Sequence, residues 1–162
     1  MYAVNYSLNN FDINEIVYFA EDDYLYTENA DKIILEGLQV GDYSSGYDHL
    51  DKYKNHSDGG PNPYIKGGGG ITRVILTENR HWKITNSCCM TFAVKLKILK
   101  EDLSIINKYC GGKHPYDFEM FLELNKKHKR TVVSCIPAVS THGETDWLSP
   151  LIDWEKEFYK DI

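Results

Sequence analysis

The chain has 162 residues, enough to bury a substantial core within one domain spanning residues 1–162. Its formal net charge of −6 argues against a nucleic-acid binder, and its single basic run, KKHKR at 126–130, follows an apolar helical pattern where cations complement a helix C-terminus. Hydrophobic residues at 42% exclude a disordered chain, and no apolar run approaches the ~20 residues a bilayer span needs.

In chain order, residues 15–20 form a near-continuous apolar run, which predicts a strand buried on both faces. That strand delivers three consecutive carboxylates, Glu21, Asp22 and Asp23, to its carboxyl end. From Thr27 the spacing predicts a helix capped by Thr27, with Ile33, Ile34 and Leu38 on one face. Residues 42–53 read as a short strand entering a loop. Residues 55–70 hold six glycines and two prolines, which predicts a long excursion of the kind that serves as a lid or binding loop. Strands are expected at 71–77 and 81–85, joined by a hairpin-length connection, and at 89–97, where Met90, Phe92, Val94 and Leu96 alternate. A helix near 100–109 uses Leu99, Leu103 and Ile106 and stops at Gly111-Gly112. Another follows His114-Pro115 with Phe118, Phe121 and Leu122 inward, and TVVSCI at 131–136 reads as a last buried strand before a short amphipathic C-terminal helix. The mixture predicts an α/β fold. Four cysteines without C-x-x-C spacing read as reduced thiols, and with no leader or span in view the expected location is cytoplasmic.

Three places concentrate chemistry. Glu21-Asp22-Asp23 stands at a strand's carboxyl end, where α/β sheets bind ligands; such a triplet suits a hard divalent cation or, more simply, an acidic turn before a helix. Asp117 and Glu119 fall in the first turn of a helix, favourable to its dipole and equally placed for a general base. His142, beside Glu144 and Asp146 in an irregular segment, is a candidate metal ligand or phosphate contact. No Ser-His-Asp or Cys-His arrangement is recognisable by spacing.

Taken in order, the segments IVYFAEDDYLY, RHWKITNSCCMTFAVKLKIL, HPYDFEMFLEL and IPAVSTHGETDWLSPLIDW resemble the GT-A nucleotide-sugar glycosyltransferases, close to the large inverting family 2 and a viral and bacterial subgroup of it. The resemblance runs from about residue 1 to 155 and is carried by the ordered set, since each motif is short. It implies a partial GT-A, Rossmann-like mixed sheet with flanking helices, and transfer of a sugar from a nucleotide-sugar donor to a carbohydrate or protein acceptor with Mn²⁺ or Mg²⁺ as cofactor. Asp23 and His142 would be metal ligands. Glu21 or Asp22 would reach the donor ribose, or the metal through water. Asp117 would be the base, with Glu119 second to it, and His81 and Trp82 would line the acceptor side. Only about 15 residues precede the acidic strand, where the family has a nucleobase-holding half. The expectation is therefore a fragment of such an enzyme, or a short form that binds carbohydrate or assembles without transferring sugar. Either leaves an open sheet edge through which copies can pair.

Overall fold

The structure, a computed structural model, describes residues 1–67 and 69–161. Its elements are α1 (Tyr2–Asn10), β1 (Ile16–Phe19), β2 (Tyr24–Tyr26), α2 (Ala30–Gly37), β3 (Tyr43–Ser45), β4 (Val74–Leu76), β5 (His81–Thr85), β6 (Phe92–Lys95), α3 (Leu96–Cys110), α4 (Asp117–His128), β7 (Val132–Ile136), β8 (Ser140–His142) and α5 (Trp154–Phe158). Single 3₁₀ turns at Leu50–Lys52 and His56–Asp58 punctuate the long loop.

Six strands form a mixed sheet in the order β1-β6-β3-β7-β5-β4, in which the neighbours β3 and β7 pair parallel and the other neighbours antiparallel; β2 and β8 make a separate antiparallel pair. The registers Phe19↔Phe92, Ser45↔Ser134 and His81↔Ile136 bring the carboxyl ends of β1, β3 and β7 to one rim, beside the amino ends of β5 and β6. The candidate functional residues lie in segments that leave or enter this rim, with His81 at the amino end of β5 and Trp82 one residue further in. Helices α1, α3 and α4 cover one face, where Tyr43, Phe92, Leu99, Ile106, Met120 and Leu124 are wholly buried. On the other face α2 packs Ala30 and Ile34 against Trp82, Val133 and Val139. There the helix comes so close that a Cβ on Gly37 would lie 2.1 Å from Ser44 Oγ and 2.6 Å from the Trp82 ring.

A buried polar node locks the first face. Asp102 of α3, wholly buried, accepts hydrogen bonds from Tyr43 Oη at 2.7 Å, Arg130 Nε at 3.0 Å and His128 Nδ1 at 2.5 Å. One carboxylate thus ties β3 to α3 and to the end of α4.

Several expectations need correction. The strand at 15–20 is an edge strand, with Ile16 exposed and Val17, Tyr18 and Phe19 half-buried, because a neighbour covers one side only. An apolar run cannot by itself distinguish an edge from a centre. Thr27 does not cap α2: that helix starts after Asn29, which adopts a left-handed conformation (φ 60°), while both the N–H and hydroxyl of Thr27 turn to the Val139 carbonyl. The strand expected over 89–97 is confined to Phe92–Lys95, since Cys89 and Met90 take positive φ in a tight turn and Leu96 already opens α3. In α4 the inward residues are Met120, Phe121 and Leu124; Leu122 is exposed. Helix α1 was not anticipated. Its asparagines and tyrosines are indifferent helix formers, and Val4 and Ser7 hold it by burial.

Candidate metal centre

The pairing of β2 with β8 builds the site. Their register sets Tyr24 opposite His142, so Asp23 and Gly143, the next residues outward, also meet, and the Gly143 N–H donates to the Asp23 carbonyl at 2.8 Å. Gly143 permits this approach, because a Cβ there would lie 2.9 Å from that carbonyl oxygen. His142 Nδ1 accepts from the Glu144 N–H at 3.3 Å, which turns Nε2 toward Asp23 Oδ2 at 2.9 Å. The Tyr24 ring packs edge-on against the imidazole, with centroids 5.3 Å apart.

Glu21, Asp23 and His142 form a group whose ligand atoms all lie within 4.8 Å of one another, a set that could coordinate a metal ion. Asp22 is not in it: it is exposed, in the turn that joins β1 to β2. Loss of surrounding water and the charge of Asp23 push the Glu21 carboxyl above the ordinary carboxylate range; Asp22 and Asp117 add to this and His142 opposes it. A divalent cation would relieve that repulsion. Three protein ligands would leave further positions on such an ion for water or substrate oxygens.

Asp117, the first residue of α4, is half-buried, and its Oδ2 accepts from the N–H groups of Cys88 and Cys89, each at 2.8 Å. Positive φ at Cys89 (49°) and Met90 (55°) shapes this turn. It is tethered from the far side by Lys52 Nζ, which donates to Ser87 Oγ at 2.6 Å and Asn86 Oδ1 at 3.1 Å. Burial, then Asp117, Asp51 and Glu21, push the Cys89 thiol up to about 12, so its thiol is no nucleophile. All four cysteines are free thiols.

Other predicted residues are not brought together here. Glu119 is exposed and, two positions along the helix from Asp117, faces a different direction. His81 is exposed at the start of β5. Trp82 is wholly buried, with its indole N–H donating to Thr77 Oγ1 at 2.8 Å, so it is a core residue with no surface to offer an acceptor.

Two features of the rim escaped the sequence reading. A run of ring contacts leads from His142 through Tyr24, Tyr47 and His49 to Trp147, each step between 5.1 and 5.5 Å. Lys83 and Asp48 form a buried ion pair, and Tyr53 Oη donates to Asp48 Oδ2 at 2.6 Å. Burial pushes the Lys83 ammonium below its ordinary range against the pull of Asp48. An excess of tyrosine was the available signal for the first; nothing in spacing announced the second.

No family model, no curated protein and no solved structure matches this chain. Among the described residues, no helix is long and apolar enough to cross a membrane.

Proposed function

We propose that this chain is a metal-dependent glycosyltransferase unit of the GT-A type, acting on a nucleotide-sugar donor and an acceptor hydroxyl with inversion. The observation that carries the reading is the meeting of Glu21 and Asp23 with His142, from opposite ends of the chain. Glu21, Asp23 and His142 would hold Mn²⁺ or Mg²⁺, whose chemistry when bound is neutralisation of the charge on a departing diphosphate. Asp22, exposed beside them, would meet the donor's ribose. Asp117 has one oxygen occupied by two amides, which fixes the carboxylate and leaves Oδ1 to take the proton of the attacking hydroxyl. Glu119 is set aside as the base by its position on the helix.

Calorimetric titration with UDP and GDP, with and without Mn²⁺, tests this. Metal-dependent binding of either, lost in Asp23→Ala and retained in Asp117→Asn, is the expected result. Binding of neither nucleotide would sink the transferase reading and favour a carbohydrate-binding or assembly module that transfers nothing.

A further inference from the structure

Strand β1 ends the six-stranded sheet with β6 as its sole neighbour there. The Leu96 N–H donates to the Glu15 carbonyl, so the backbone groups of Glu15, Val17 and Phe19 face β6, and by alternation those of Ile16, Tyr18 and Ala20 face outward. Natural sheet edges are usually blunted by lysine, proline, a bulge or a covering element. The stretch Ile16–Phe19 carries no charge and no proline. The outward residues also line an apolar groove of about 630 Å³ between β1 and α2, with Tyr26, Ile34 and Leu35 on its other walls. Ile16 is 40% exposed and Leu35 46%. A strand added to β1 would drop every second side chain into this groove.

Charge selects the occupant. Asp12 and Glu15 precede the strand, Glu21, Asp22 and Asp23 follow it, and the one charged residue lining the groove is Asp31. Lys95, opposite Ile16, and Lys32, bonded to Asn29, are too few to balance six carboxylates. A second copy is a poor occupant for the same reason. Antiparallel self-pairing centred on Tyr18 sets Glu15 against Glu21, and pairing centred on Val17 brings Asp12 toward Asp22.

We propose that the β1 edge takes up an extended segment of another protein, apolar at alternate positions and basic at both ends, as a seventh strand of the sheet. Main-chain hydrogen bonds to Ile16, Tyr18 and Ala20 supply the affinity, the groove selects the apolar residues, and the flanking acids select the basic ends. The acids that follow the strand include Glu21 and Asp23 of the candidate metal centre, so the titration is made without added metal.

The test is an NMR titration of the isotopically labelled full chain with a short peptide of alternating valine and threonine between paired lysines. Shifts confined to β1 and the groove, slowed amide exchange at Ile16, Tyr18 and Ala20, and at least about tenfold weakening in 0.5 M salt are expected. Glutamate-flanked and backbone N-methylated peptides should not bind. Ile16→Lys should abolish binding while leaving the thermal melt in place, since the side chain is already substantially exposed. Equal binding of the lysine- and glutamate-flanked peptides, or none by the lysine-flanked one, overturns the proposal. So does concentration-dependent protection of Ile16 in the protein alone, which would identify a second copy as the occupant.

Discussion

Replacing Asp117 separates what its carboxylate does for the fold from what it does for chemistry. Its Oδ2 receives two amide hydrogen bonds of 2.8 Å from Cys88 and Cys89. Hydrogen bonds to a charged group contribute about 1.5–3 kcal/mol each when the partners would otherwise be stranded. Asp117 is only half-buried, so water recovers part of this, and Asp117→Ala is expected to cost about 2–4 kcal/mol. For a chain of this length that is a fall in Tm of about 4–16 °C. Asp117→Asn keeps an oxygen where both amides point and should cost about 1 kcal/mol or less. Urea and thermal unfolding followed by circular dichroism measure both, and a transfer assay on the asparagine variant then tests the proposed proton-accepting role with the turn intact. Equal losses in the two variants, or a loss in Asp117→Ala below about 1 kcal/mol, would refute the argument that the Cys88–Cys89 turn is held by this carboxylate.

Asp102→Asn takes the charge from a wholly buried node that gathers Tyr43, His128 and Arg130; a loss of about 3–5 kcal/mol in urea unfolding is expected, and a near-neutral result would mean the node has no net stabilising role. Gly143→Ala should lower Mn²⁺ affinity about 10-fold in calorimetry, because the added carbon would lie 2.9 Å from the Asp23 carbonyl and push the strand ends apart; unchanged affinity would separate the metal ligands from this ladder. Lys108, Lys127 and the Tyr109 hydroxyl hold the Glu123 carboxyl down at about 2, against an ordinary 4.5. A depressed folded value means the clamp between α3 and α4 stabilises fully above pH 4.5 and is lost as pH falls toward 2. The stability gap between wild type and Glu123→Gln should therefore be present at neutral pH and close in that window; a gap that persists through it would refute the assignment.

Much of this was legible in the sequence where one signal dominated. The strand at 81–85 stands as read, because turn residues bracket a stretch in which Trp82 and Ile84 alternate with polar residues. Gly111 ends α3 as expected, and the acids of 21–23 emerge at a strand's carboxyl end. What could not be read depends on neighbours. Trp82 has the composition of a ligand-facing aromatic and is instead the residue against which Gly37 packs. The apolar pattern of 15–20 is the same for a central strand and an open edge. The separation of Asp22 from Glu21 and Asp23 needed the β2–β8 register, which three-residue strands do not announce.

That short ladder has one more consequence. It clasps residues near the beginning of the chain to residues near its end, and everything between them forms a single closed loop. Bringing such distant segments together is entropically unfavourable and rewarded late in folding. A cation held by Glu21, Asp23 and His142 would bind the closed chain and not the open one, so it would act as a latch: at a hundredfold excess over its dissociation constant it adds about 2.7 kcal/mol to the stability of the whole. Resistance to unfolding would then rise and fall with the supply of that cation.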